Sequence, residues 1–170
     1  NGARLICEKI GLSSTEFYEA IRSFKGAAKR LELVGQNDNS LLYKDFAHAP
    51  SKVEATTRAL KSQFPERQLI ACLELHTFSS LNPAFLPQYE GTLAKADKAI
   101  VYLSEHARAI KRMDRIEESV VQDYFKHPNL LVLRDSEALK SEMLANKKED
   151  TNWLMMSSGT FGGLDLKGLV

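Results

Sequence analysis

The chain has 170 residues and a mass of 19.1 kDa, which suits one domain with an ordinary hydrophobic core, with or without a fragment of another domain. Its 23 basic and 22 acidic side chains give a formal net charge of +1, so no bulk field favours nucleic acid or an anionic membrane as a partner. No apolar run approaches about 18 residues and no signal peptide is visible, so we expect a cytoplasmic protein.

The first 25 residues have the pattern of two short helices. Leu5, Ile6 and Ile10 recur at helical spacing in the first, and Ser13 and Ser14 are suited to cap the second. Because two short helices bury little apolar surface, we expect residues 1–25 to end a preceding domain and residues 26–170 to form the main domain. The chain begins without methionine, so we also expect it to be part of a longer protein.

From residue 31 onward, predicted strands alternate with predicted helices. The stretch "LELVGQNDNSLLYKDF" predicts a β-hairpin, and four later apolar runs predict strands: "QLIACLEL", "KAIVYL", "LLVLR" and "NWLMMS". Helices are expected at 50–64, through "LNPAFLPQYEGTLAKA", at 107–126, through "DSEALKSEMLANK" and from "LDLKGLV". We therefore predict a Rossmann-like α/β fold, a mostly parallel sheet of about six strands with helices on both faces, preceded by a helical piece and the hairpin.

Polar side chains lie at the ends of three predicted strands. They are Asp45 and His48, Glu74 and His76, and Ser157, Ser158 and Thr160. A parallel sheet gathers such strand ends along one edge, where α/β proteins bind their ligands. Each group taken alone is also explained as a turn and a helix cap. Their predicted convergence is therefore the feature that indicates a ligand site.

Several familiar site types are excluded by the motifs that are missing. The sequence has no G-x-x-x-x-G-K-[ST] loop, no G-x-G-x-x-G fingerprint after the first strand and no G-x-S-x-G elbow. Its four histidines show no metal-ligand spacing, so no metal site is predicted. Reasoning from the residues stops at an α/β domain with a polar ligand edge, and a stand-alone module that binds a nucleotide or a protein remains an alternative.

Four stretches carry recognisable motifs: "FKGAAKRLELVG", "YKDFAHAP", "CLELHTFSSLN" and "ADKAIVYL". In order and spacing they resemble the F-x-x-x-x-R-R-x-E-x-x-G, D-[YF]-A-H-x-P, P-H-T-Y-S and A-D-x-V motifs of the Mur ligases. This family uses ATP to join amino acids or peptides to UDP-N-acetylmuramate. The resemblance implies that residues 1–25 end the central ATP-binding domain and that residues 26–170 are the C-terminal domain.

The end of the chain distinguishes two branches of the family. "LMMSSGTFGGLDLKGL" resembles the ending of the murein tripeptide ligases, which attach L-alanyl-γ-D-glutamyl-meso-diaminopimelate to UDP-N-acetylmuramate in peptidoglycan recycling. The branch that adds L-alanine in de novo synthesis typically carries an arginine where this chain has Ser80. A guanidinium there can clamp a single amino acid's carboxylate, which a serine cannot do. The tripeptide is therefore the expected substrate, with L-alanine as the alternative.

The resemblance also implies roles for individual residues. His48 would lie near the γ-phosphate and the incoming amine as the catalytic residue, and Asp45 would accept hydrogen bonds from the ATP ribose. Arg30 would face the nucleotide phosphates, although a surface ion pair with Glu32 is the alternative for this side chain. The implied substrate-binding residues are His76, Ser79, Ser80, Ser157, Thr160 and Phe161.

The implied partners are UDP-N-acetylmuramate, ATP with magnesium, a peptide or amino acid, and the two preceding domains of the same chain. Neither nucleic acid nor a membrane is expected as a partner. In the family, the P-loop and the main magnesium and UDP-sugar sites belong to those two earlier domains. We therefore expect this chain by itself to be inactive.

Overall fold

The computed structural model describes residues 2–24, 29–37, 39–146 and 150–169. The helices are α1 (Gly2–Lys9), α2 (Ser14–Ile21), α3 (Pro50–Gln63), α4 (Glu105–Lys111), α5 (Glu118–Phe125) and α6 (Ser136–Ala145). The strands are β1 (Glu32–Gln36), β2 (Ser40–Asp45), β3 (Gln68–Leu75), β4 (Lys98–Leu103), β5 (Leu130–Leu133) and β6 (Thr151–Met156). Short 3-10 helices cover Pro83–Tyr89 and Phe161–Gly163.

The strands form one six-stranded sheet in the order β1-β2-β6-β3-β4-β5. β1 and β2 form the expected antiparallel hairpin, while every other neighbouring pair is parallel. β3 and β6 lie in the middle of the sheet and are buried along almost their whole length, because their continuous apolar runs can face a core on both sides. The predicted fold, a mostly parallel α/β sheet with an antiparallel hairpin, is confirmed.

Two hydrophobic cores cover the two faces of the sheet. On the first face, α3 and α5 contribute Val53 and Phe125, which belong to the same buried cluster as Leu154 of β6. On the second face, Met143 of α6 clusters with Trp153, the residue before Leu154. Successive residues of a strand point to opposite faces, so neighbouring apolar residues of β6 supply both cores.

Three predicted helices differ from the structure. "LNPAFLPQYEGTLAKA" contains a 3-10 helix over Pro83–Tyr89, since Pro87 lacks the N–H that an α-helix needs and its ring clashes with the preceding turn. The expected helix at 107–126 is divided into α4 and α5, because Arg112 adopts a left-handed conformation with φ of 53°. "LDLKGLV" is not helical over its described residues 164–169, where Gly168 has φ of +75°.

The N-terminal region contains the two predicted short helices. A capping box joins Ser13 and Glu16 at the start of α2, as the serine pair predicted. Neither helix has a buried residue, and Ile6, Ile10 and Phe24 are 65%, 72% and 66% exposed. The expected domain boundary at residues 25 and 26 lies outside the described residues, so the division into two domains stays a prediction. No helix in the described part of the chain is long and apolar enough to cross a membrane.

Asp97 connects the starts of β3 and β4 at the edge opposite the predicted site. Its carboxylate accepts the backbone N–H of Leu69 at 2.7 Å and lies 2.9 Å from the Lys61 ammonium. Burial raises the pKa of Asp97, but these hydrogen bonds and the Lys61 charge outweigh burial and hold the pKa below its usual 3.8. The ionised carboxylate therefore stabilises the folded state.

We expect Asp97→Asn to lower the free energy of unfolding at neutral pH. A depressed folded-state pKa stabilises the fold above the unfolded-state pKa, and this stability is lost as pH falls through the folded-state pKa. The difference between wild type and Asp97→Asn should therefore shrink below about pH 4. Urea denaturation across pH measures this, with the exposed Asp123→Asn on α5 as a control. A difference that does not change with pH would contradict the assignment.

Candidate functional site

The carboxyl ends of four parallel strands meet along one edge of the sheet. Asp45 at the end of β2 is level with Met156 at the end of β6, and Met156 is also paired with Leu73 of β3. The end of β3 is in turn level with the end of β4. The polar residues that follow these strands are therefore brought to one edge, as the parallel topology predicted.

The first cavity at this edge, the Asp45 cavity, has a volume of about 330 Å³. Three residues predicted from the sequence, Arg30, Asp45 and His48, line it together. The first two turns of α3 add Lys52 and Thr56 to the lining. The full lining is Arg30, Asp45, Phe46, Ala47, His48, Ala49, Lys52 and Thr56.

Asp45 is buried and holds two loops together at the wall of this cavity. One carboxylate oxygen accepts the backbone N–H of Ala47 and the other accepts the backbone N–H of Leu31, each at 2.7 Å. These bonds join the segment before β1 to the loop after β2. Each carboxylate oxygen has a second lone pair, so Asp45 can still accept a hydrogen bond from a ligand hydroxyl.

His48 is half-buried and is oriented by its neighbours. Its Nδ1 lies 2.9 Å from the Phe46 carbonyl oxygen, so Nδ1 carries the proton and Nε2 is the acceptor of the neutral ring. The Phe46 ring packs edge-on against the imidazole, with 5.2 Å between ring centres. The Tyr89 hydroxyl donates to the His48 carbonyl oxygen at 2.6 Å, which fixes the backbone as well.

The groups around the Asp45 cavity favour an anionic ligand. Arg30 is exposed, and Glu32, its alternative ion-pair partner, accepts the backbone N–H of Lys29 at 2.7 Å. Lys52 adds a second cation on the first turn of α3. This 14-residue helix begins with Pro50 at the cavity, and its positive N-terminal end adds to the same field. A phosphate group fits these surroundings better than a cation does.

The second cavity, the Glu74 cavity, has a volume of about 440 Å³. It brings together His76 and Thr160, two of the residues predicted from the sequence. His106 of α4 places a second imidazole in the lining. The full lining is Glu74, His76, Ser104, His106, Thr160, Gly162 and Gly163.

Glu74 lies between the sheet and the turn that follows β6. One oxygen of its carboxylate accepts hydrogen bonds from the Ser157 hydroxyl and from the backbone N–H of Phe161, the latter at 2.9 Å. The Ser157 oxygen in turn accepts the backbone N–H of Gly159 at 2.6 Å. Burial raises the pKa of the neighbouring Tyr102 hydroxyl, and the Glu74 charge raises it further.

The remaining predicted residues do not line the Glu74 cavity. Ser157 and Phe161 are buried, and the Phe161 ring packs 6.0 Å from that of Tyr102. Ser80 is 1% exposed and accepts the backbone N–H of Thr77 at 2.9 Å within the turn after β3. Exposed Ser79 belongs to the same turn. Contact of these four residues with a substrate stays a prediction.

Residues 29–159 match the family model described as Mur ligase, glutamate ligase domain. The chain belongs to the Mur ligase family. The resemblance predicted from the four motifs is therefore confirmed, and the two cavities lie at the carboxyl edge of the sheet in a Mur ligase domain.

Similar proteins come from both branches considered above. The chain is 38% identical over 96 residues to the UDP-N-acetylmuramate–L-alanine ligase of Caldicellulosiruptor bescii, a match that covers 56% of this chain and 21% of that protein. Among solved structures, a murein peptide ligase from Psychrobacter arcticus has a TM-score of 0.64 at 22% identity, with 95% of this chain and 33% of that chain covered.

A third similar protein is a single domain. It is described as a domain from a putative UDP-N-acetylmuramate:L-alanyl-γ-D-glutamyl-meso-diaminopimelate ligase of Haemophilus ducreyi, with a TM-score of 0.56 at 25% identity. The match covers 79% of this chain and 92% of that domain. The present chain thus spans about a fifth of the curated Mur ligase it matches and a third of the full-length structure.

Several site residues of this Mur ligase domain were missed from the sequence. Lys52 lies in α3 and His106 lies in α4. Whether these side chains reach the strand ends depends on how the helices pack against the sheet, and no local sequence pattern encodes that packing. Glu74 was named from the sequence among the polar strand-end residues but was given no role, although a lone acid inside the apolar run "QLIACLEL" requires hydrogen-bond partners in a core.

A substitution at Gly159 tests how tightly the turn after β6 packs against the end of β3. A Cβ at this position would lie 2.6 Å from Cδ2 of His76 and 2.8 Å from a Glu74 carboxylate oxygen. We expect Gly159→Ala to destabilise the fold by about 1–3 kcal/mol, because both side chains must move. Chemical denaturation measures this. The control is Gly2→Ala, where a Cβ meets no atom within 4 Å, and equal stability of the two variants would contradict the packing.

Proposed function

We propose that this chain is the C-terminal domain of an ATP-dependent ligase that joins L-alanyl-γ-D-glutamyl-meso-diaminopimelate to UDP-N-acetylmuramate in peptidoglycan recycling. The observation that carries the proposal is the convergence of Arg30, Asp45 and His48 on one cavity at the ligand edge of a Mur ligase domain. In this proposal residues 1–25 end a central ATP-binding domain, and the enzyme works in the cytoplasm on soluble substrates.

In the proposed reaction, ATP phosphorylates the muramate carboxylate and releases ADP. The amine of the incoming peptide then attacks the acyl phosphate, so that an amide bond forms and phosphate leaves. Arg30 and Lys52 bind phosphate oxygens, and Asp45 accepts a ribose hydroxyl. His48, held through Nδ1 by the Phe46 carbonyl, presents Nε2 to the amine and accepts its proton.

The described residues form no site suited to the magnesium that the family uses with ATP. Within the described ranges, no group of three His, Cys, Asp or Glu side chains is placed to hold a metal ion. Among the residues described, Asp45 is the one acidic side chain in the lining of the Asp45 cavity. We therefore assign magnesium binding to the preceding domains and assign no step of the reaction to a metal held here.

The Glu74 cavity supports a peptide as the incoming substrate. The "SSGTFGG" ending that resembles the tripeptide ligases forms one of its walls, through Thr160 and two glycines. Ser80, which stands where the L-alanine ligases typically carry arginine, is buried and hydrogen-bonded inside its own turn. No guanidinium is available at that position to clamp the carboxylate of a single amino acid.

L-Alanine is the second candidate for the incoming substrate. It is favoured by the 38% identity to the L-alanine ligase of Caldicellulosiruptor bescii. The two candidates share the ATP-dependent chemistry and the Asp45 cavity, and they differ in what the Glu74 cavity must recognise.

The function is tested on the full-length parent protein by measuring ADP release with ATP, magnesium and UDP-N-acetylmuramate. We expect release with the tripeptide and little with L-alanine. The opposite preference would establish the second candidate, and release with neither would leave Asp45 and His48 explained as parts of a turn and a helix cap. The isolated 170-residue chain should release no ADP, because the P-loop of the family lies in another domain.

We expect His48→Ala in the parent protein to lower kcat by about 100- to 10,000-fold, the usual contribution of a positioned general base. Its matched control is His127→Ala, since the His127 imidazole contacts the Ala96 carbonyl oxygen at 3.0 Å, near the start of β4 at the opposite edge of the sheet. Steady-state ADP release measures both variants. Equal kcat for the two would contradict the role assigned to His48.

A further inference from the structure

We propose that Glu74 is a positioning residue for the incoming amine substrate, because its carboxylate fixes the turn at 157–163 that walls the Glu74 cavity. This inference rests on the proposed function, in that the cavity is assigned to the incoming substrate. The role is separate from the chemistry at the Asp45 cavity, whose lining shares no residue with that of the Glu74 cavity.

The first argument is the burial of Glu74. It is 1% exposed and follows Cys72, which is fully buried, on the second face of β3. A carboxylate in such surroundings is costly unless hydrogen bonds satisfy it, and an apolar side chain would suit the strand as well. The Ser157 hydroxyl and the Phe161 N–H supply these bonds, and both come from the turn after β6. The hydrogen bonds to this turn therefore account for the presence of a buried acid at position 74.

The second argument is the conformation of that turn. Phe161, Gly162 and Gly163 have φ values of 52°, 70° and 86°, so three consecutive residues are left-handed. For a residue with a side chain this conformation is strained and persists only where the surroundings enforce it. Phe161 is held from both sides, by its N–H bond to Glu74 and by its ring against Tyr102. Loss of the Glu74 acceptor should let the turn relax.

The third argument connects the turn to the cavity. Thr160, Gly162 and Gly163 line the cavity and are part of the turn that Glu74 anchors. The turn runs close to β4 at Gly162, where a Cβ would lie 2.6 Å from the Tyr102 hydroxyl. A turn released from Glu74 would shift these three residues, which changes the wall that meets the substrate.

The test compares Glu74→Gln with wild type in the full-length parent protein, by ADP release at varied concentrations of each substrate. Glutamine keeps the size of the side chain, but it replaces one oxygen by a donor and removes the charge that strengthens both bonds. We expect KM for the incoming amine substrate to rise about 10- to 100-fold, while KM for ATP stays unchanged. An unchanged KM for the amine substrate in an active enzyme would overturn the proposal.

The matched control is Asp97→Asn, which also removes a carboxylate that accepts a backbone N–H of β3, but at the opposite edge. It should lower stability without changing KM for the amine. A similar rise in KM in this control would show that general destabilisation is the cause, and would overturn the proposal. If Glu74→Gln fails to fold, Ser157→Ala keeps the acid and its bond to Phe161 and should give a smaller rise in KM.

Hydrogen exchange separates failure of this proposal from failure of the proposed function. The amides of Gly159 and Phe161 should exchange faster in Glu74→Gln than in wild type, and at the wild-type rate in Asp97→Asn. This readout needs no activity. If wild type releases no ADP with either amine, the proposed function fails. If exchange at the two amides is unchanged in Glu74→Gln, the positioning role fails whatever the enzyme does.

Discussion

The buried carboxylate of Glu74 constrains how the chain can leave the sheet after β6. A buried acceptor must be satisfied, so the segment that follows Met156 has to return over β3 and present the Ser157 hydroxyl and the Phe161 N–H to it. That return leaves no room for a side chain at Gly159. It also places Thr160 and two glycines on the wall of a cavity, so one electrostatic requirement inside the core determines the shape of part of the rim.

Asp45 also anchors loops through hydrogen bonds, at the end of β2. Its two oxygens accept N–H groups from the segments before β1 and after β2, while Glu74 accepts groups from the turn after β6. Asp45 alternates with Tyr43, which packs against the core of the first face, whereas Glu74 alternates with Cys72 in the core of the second face. The two acids therefore anchor loops on opposite faces of one edge. Around the first the lining is cationic, and around the second it contains two imidazoles.

Local patterns predicted much of this fold, and tertiary contacts account for what they missed. "QLIACLEL" and "KAIVYL" coincide with β3 and β4, since a continuous apolar run between polar residues has few alternatives to a central strand. The break after α4 was missed because Arg112, a good helix former, adopts the left-handed conformation usually taken by glycine. At the site, the strand-end pattern predicted Asp45 and His48 and the family resemblance added Arg30, and these three residues share a cavity. Neither supplied Lys52, whose approach depends on how α3 packs against the sheet.

The described residues contain groups suited to binding a ligand, but no group suited to holding a metal ion. They provide cations and a helix N-terminus for phosphate, a tautomer-fixed imidazole and a shaped second cavity, but no group of three potential metal ligands. The apolar side chains of α1 and α2 also indicate a contact outside the described chain, because residues such as Ile6 and Tyr18 are exposed in it. In the proposed enzyme, such a domain would close over a nucleotide bound by another domain, since closure removes water from a reactive acyl phosphate. Selectivity for the incoming amine can then change through the turn after β6 while the phosphate-binding groups stay as they are.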